Sequence, residues 1–174
     1  MRFADFLKST VVLSAGAATA LATMTVLVAG ADADATLVFV LAAWWTIALG
    51  VGAWLGRRAE TSPPIARLLA GARHSSTLPE QRPAAMLLNR LWPLLASTIL
   101  ALALALVAPQ IPGIAAGFAM AWALAWRRQD AAVQAIEERD GVAFYLESTS
   151  AVKPIQLVRT PGLRRELTAV DGTA

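Results

Sequence analysis

The placement of charge constrains this chain more than any other feature. Four stretches, residues 11–29, 36–56, 91–108 and 112–126, contain no Asp, Glu, Lys, Arg or His. Crossing a bilayer takes about 20 predominantly apolar residues, because its hydrocarbon core is about 30 Å thick. A chain of 174 residues with four such runs has too little polar sequence to cover them in water. Its overall balance agrees: 57% of the residues are hydrophobic and 16% charged, against about 25% charged in ordinary soluble domains. The expected architecture is an all-α membrane protein whose four transmembrane helices form two hairpins. A bundle over residues 1–128 with a polar connection at 57–90 is followed by a tail over 129–174.

The basic residues orient the bundle. All fifteen Lys and Arg fall in three segments: Arg2 and Lys8, then six between Arg57 and Arg90, then seven from Arg127 onward. The connections between the first and second spans and between the third and fourth hold none. With four crossings the three basic segments share one side, and the positive-inside rule makes it the cytoplasm. Both termini are therefore expected in the cytoplasm. The set is thirteen Arg to two Lys, a bias of GC-rich bacterial genes, so the expected location is a bacterial inner membrane. A pI near 10.2 does not imply nucleic-acid binding, because the arginines flank apolar runs and no basic–aromatic module is visible.

Residues 11–29 admit a second reading. Arg2 and Lys8 make a basic lead, and Ala31-Asp32-Ala33 resembles a cleavage site, so the segment also fits a signal peptide. Its uncharged run exceeds the roughly 7–15 apolar residues usual in that role, which favours a span.

Small residues mark the packing faces. Gly113, Gly117, Ala121 and Ala125 recur every four residues, and Gly52 and Gly56 repeat the spacing. Residues four apart lie on one helix face, and small ones let helix backbones approach closely. The expected role of the longer stripe is to dock another span of the same chain. Arg57, Arg58, Arg127 and Arg128 close two spans, and Trp92 and Trp126 are expected as interfacial anchors. The ends AWLGRRAE and ALAWRRQD echo one another, which shared anchor chemistry explains without a duplicated hairpin. Trp44 and Trp45, in mid-span, are expected to pack against neighbouring helices or lipid rather than to line a cavity.

Outside the spans, Ser62 before Pro63 and Pro64 signals a helix start. Ile65, Leu68, Leu69 and Ala72 then share one face, as in a short helix at a membrane surface. The sequence predicts helix through Gln129–Arg139, running on from the fourth span as one continuous rod, with Gly141 as C-cap. Strands are predicted over 142–147 and 155–160, joined as a small β-hairpin that must pack on something to be stable. Leu163–Ala174 is expected to be frayed.

Chemistry is sparse. No ionisable group lies in the spans, which disfavours ion-coupled transport. Without cysteine, thiol catalysis is excluded, and His74 is the only histidine, so a histidine metal site is unsupported. Glu137, Glu138 and Asp140 read as a solvated helix end. No cofactor is expected. The leading functional expectation is a non-enzymatic accessory or scaffold subunit. It would meet membrane lipids and a membrane-protein partner or a second copy of itself, through a cytoplasmic interaction tail. The alternatives are a small transporter or channel component acting as an oligomer and, behind it, a lipid-directed enzyme using His74.

Overall fold

The computed structural model describes residues 1–32, 35–58, 60–75, 83–108, 110–147 and 155–161. These are mostly helical: α1 (Phe3–Asp32), α2 (Ala35–Leu55), α3 (Pro63–Ala70), α4 (Pro83–Leu104), α5 (Gln110–Trp126) and α6 (Gln129–Asp140). Three short strands complete them, β1 (Arg73–His74), β2 (Val142–Leu146) and β3 (Leu157–Pro161). Part of the polar connection at 57–90, the turn expected to join the two predicted strands, Pro109 and the end at 163–174 lie outside the described residues.

Among the described residues three helices, α1, α2 and α4, are long and apolar enough to cross a membrane, where the sequence predicts four. The fourth expected span is α5. It has 17 residues, about 25 Å at 1.5 Å per residue, less than a hydrocarbon core of about 30 Å. Other boundaries also move. The lead before residue 11 is the first part of α1, and α1 runs on to Asp32, past the end expected at residue 29. The third span starts earlier and ends sooner than 91–108. Pro93 consequently lies inside α4, where it withholds one N–H from the helical ladder.

The chain forms two compact units. The helical unit comprises Lys8–Arg58 and Leu91–Arg127. At its centre Leu21 of α1, Ala101 of α4 and Ala116 of α5 pack together, with Trp45 of α2 against them. Its outward residues are large and apolar, among them Phe39, Val40, Ile99, Leu100 and Phe118. A soluble unit of this kind would bury such residues, whereas lipid accepts them.

The second unit draws on three separate parts of the chain: Met1–Leu7, Ala59–Arg90 and Arg128–Ala174. Its sheet has the order β1-β3-β2. The predicted strands pair antiparallel, with Phe144 opposite Arg159. The hairpin is not alone, however. β1 adds in parallel to β3, Arg73 opposite Val158, and Arg2 forms a bridge to Tyr145 on the far side of β2. Phe3, Ile65, Val133 and Leu146 are the innermost side chains. α3 begins after Ser62 as predicted, with proline in its first turn, but the Ser62 hydroxyl makes no cap bond. Gly141 ends α6 with φ +61°, the left-handed conformation that glycine adopts freely. α5 and α6 are not one continuous helix: a turn at Arg127–Arg128 separates them.

Candidate functional site

Within the second unit the chemistry converges on Glu137. It lies near the end of α6 and is 6% exposed, although its neighbours Glu138 and Arg139 face solvent. Its Oε1 accepts a hydrogen bond of 2.8 Å from the Phe144 backbone N–H, and its Oε2 lies 3.7 Å from Arg2 Nη2. The reason is the open side of β2. An edge strand presents N–H groups that need partners. The Phe144 N–H finds Glu137, and the Leu146 N–H donates to the Met1 carbonyl at 3.1 Å. Burial holds the Glu137 carboxyl above the usual carboxylate range, outweighing the opposing pull of the Phe144 N–H and of Arg2, with Asp5 adding to the upward shift.

The acidic cluster expected as a solvated helix end is thus divided. Glu137 turns inward, Glu138 faces solvent, and Asp140 pairs with the Arg139 guanidinium at 2.8 and 3.3 Å. That hydrogen bond holds the Asp140 carboxyl below its usual range. His74, within the polar connection at 57–90, lies on β1, exposed, opposite Arg159. Among the described residues no three His, Asp or Glu side chains are grouped to hold a metal ion.

A second polar contact in this unit has no counterpart in the sequence reading. Gln129 opens α6 and is buried. Its Oε1 accepts from the Ser62 N–H at 3.0 Å, and its Nε2 donates to the Glu60 carbonyl at 3.1 Å. One side-chain amide therefore satisfies both a donor and an acceptor of the segment leading into α3, as a strand neighbour would.

In the helical unit the small residues lie where α2 meets α5. A Cβ on Gly52 would come 2.8 Å from Ala121 Cα, and one on Gly113 would come 2.7 Å from the Leu41 side chain. On Gly117 it would overlap the Trp44 indole, and on Gly56 the Leu124 carbonyl. Ala125 is half-buried. The contacts advance together along both helices, so α2 and α5 run parallel. Two hydrogen bonds reinforce the pair: Trp45 Nε1 donates to the Gly113 carbonyl at 2.7 Å and Trp44 Nε1 to the Ile114 carbonyl at 3.1 Å. Neither tryptophan was singled out by the sequence as a donor, because spacing shows a face but not what it meets.

The parallel arrangement brings the two tryptophan–arginine ends to the same end of the pair. Arg57 and Arg58 follow α2, and Arg127 follows α5. Trp126 stacks on Trp122 with ring centroids 5.0 Å apart. Cations there complement the partial negative charge of two helix C-termini. Trp92 is exposed and lies well inside α4, one residue beyond the start of its helical-unit portion. Arg128 belongs to the second unit, where it immediately precedes α6. Compared with known proteins, the chain matches no family model, no curated protein and no solved structure.

Proposed function

We propose that this chain is a multi-pass inner-membrane protein that acts as a non-enzymatic accessory or scaffold subunit, holding a small folded unit at the cytoplasmic face for a partner to bind. The observation that carries the reading is the composition of that unit. Arg2 bridges Tyr145, β1 pairs with β3, and Gln129 bonds to Glu60 and Ser62. Segments so joined share one side of the membrane. The number of crossings between residues 7 and 60, and again between 90 and 128, must then be even. If α4 crosses, α5 crosses too, its 17 residues lying at the short end of the spanning range of about 17–25. Arginines at its end extend to the interface and ease the mismatch. With four crossings the three basic segments of the sequence share one side, and the positive-inside rule makes that side the cytoplasm.

The same arrangement supports retention of the first span. A signal peptide cut near residue 31 would remove Met1 and Arg2 from the edge of β2. The interaction element is accordingly the assembled unit rather than the tail after residue 128 alone. Photo-crosslinking from exposed Arg67 and Glu138 in the full chain tests the function. Capture of one partner in equal stoichiometry from these sites, and not from lipid-facing Phe39, is expected. Recovery of no stoichiometric partner in mild detergent, together with solute flux through the reconstituted protein, would overturn it in favour of a transporter or channel component.

A further inference from the structure

We propose that Met1–Arg2 is a pH-responsive strap over the open edge of β2, closed when the Glu137 carboxyl is neutral and released when it ionises. The contacts that seat it all lie within the second unit. The Leu146 N–H donates to the Met1 carbonyl at 3.1 Å, and Arg2 forms an antiparallel bridge to Tyr145. Arg2 then places its guanidinium 3.7 Å from Glu137, while Glu137 takes the other edge donor, the Phe144 N–H. The edge is thus covered by a short piece of backbone and one carboxyl group, not by a full strand. Phe3, 1% exposed, anchors the start of α1 in the core, so the moving part is confined to the residues before it. β2 stays paired beneath the strap. On its other side the Glu147 N–H donates to the Gln156 carbonyl at 3.0 Å, and by alternation Ala143 and Tyr145 turn their N–H groups toward β3 as well. The strap can leave without unpairing the sheet.

Charge on Glu137 sets the two states apart. A carboxylate loses more on leaving water than a carboxylic acid does. The groups that face it are Arg2 and Asp5 from the start of the chain and the Phe144 N–H from β2. Glu138 and Arg139, beside it on α6, face solvent. Burial outweighs the pull of Arg2 and the Phe144 N–H, with Asp5 adding to it, and holds the carboxyl above its usual range. Lifting the strap admits water and returns the group toward that range. The closed state therefore binds the proton more tightly than the open one. Closure strengthens as pH falls through the window between the ordinary and the raised value, and weakens as pH rises through it. The Met1 ammonium is held below its ordinary value by burial, with Asp5 opposing. Its titration has the opposite sign, since closure disfavours the charged amine, and it lies at higher pH.

The test is hydrogen exchange of the full chain in mild detergent, resolved to single amides and corrected for the intrinsic effect of pH on exchange. It runs between about pH 4.5 and about pH 7, below the range of the amine. Protection of the Leu146 N–H is expected to fall as pH rises through the Glu137 window, by at most about tenfold per pH unit for one linked proton. The Tyr145 N–H should keep its protection throughout. Glu137→Gln is expected to abolish the pH dependence and to leave Leu146 protected. Asp5→Asn should move the transition to lower pH and Arg2→Gln to higher pH, opposite shifts that a purely structural contact does not produce. Leu146 protection independent of pH in the wild type overturns the strap, as does a transition that persists in Glu137→Gln. Parallel loss at Tyr145 overturns it too, because the unit then opens as a whole. The wild-type and Asp5→Asn profiles decide the matter even if Glu137→Gln fails to fold.

Discussion

Glu137 shows how a single buried carboxylate can organise a small sheet. Glu137→Leu leaves the Phe144 N–H without its acceptor, and an unmet buried donor costs about 1–3 kcal/mol. Thermal unfolding of the full chain in detergent should register that loss in the second unit. Glu137→Gln keeps an acceptor and has the opposite sign at neutral pH. Because burial raises the folded-state pKa of Glu137, the folded chain binds more protons than the unfolded chain between the ordinary carboxylate value and the raised one. Stability from this group therefore falls as pH rises through that window and recovers as pH is lowered. The Gln variant is expected to melt above the wild type at neutral pH, with the gap narrowing on acidification. A gap independent of pH would show that the carboxyl is not held in its neutral-favouring environment. Gly56 makes a sterically simpler case. Gly56→Ala must displace the Leu124 backbone rather than a flexible side chain, and overpacking of this kind costs about 1–3 kcal/mol.

At the scale of elements, the α2–α5 pair combines close backbone approach with side-chain hydrogen bonds from one helix to the backbone of the next. Trp45→Phe keeps most of the ring volume and removes only the donor to the Gly113 carbonyl. Interhelical bonds in membranes average about 0.6 kcal/mol and reach about 1.7, so a loss within that range is expected in unfolding by mixed detergent. A larger loss would place the contribution in packing of the indole. The break at Arg127–Arg128 changes what α6 can do. A continuous rod would pass movement of α5 directly to the sheet, whereas a turn followed by the Gln129 amide ties α6 to Glu60 and Ser62 instead.

For the whole molecule, the joining of residues 1–7, 60–75, 128–147 and 155–161 in one unit makes the proposed topology testable. The natural chain has no cysteine, so single cysteine reporters are unambiguous. Cysteines placed at Arg67 and Glu138 are expected to react only with a reagent that reaches the cytoplasmic side, and those at Ala35 and Gln110 only with one that reaches the other side. Labelling of Gln110 from the cytoplasm would mean that α4 and α5 do not cross. A tag placed before Met1 should remain on the full-length protein in the membrane, and its release with a shortened chain would establish cleavage of the first span.

The sequence by itself determined three helices long and apolar enough to cross a membrane, the C-cap at Gly141 and the two principal strands. These follow from length, charge and short-range periodicity, which are local properties. The small-residue spacing at Gly52, Gly56, Gly113 and Gly117 was also legible as a face, but the identity of its partner was not. That required the register of two helices about 70 residues apart in sequence, which no local pattern carries. β1 has two residues, too few for any alternation to appear. Glu137 reads as solvated because Glu138, Arg139 and Asp140 follow it in sequence, whereas in the fold it turns inward to accept from the Phe144 N–H on the edge of β2. The bridge from Arg2 to Tyr145 is likewise a product of tertiary structure. Local chemistry determines which segments leave water, whereas the pairing of edges and faces depends on which distant segments arrive beside them.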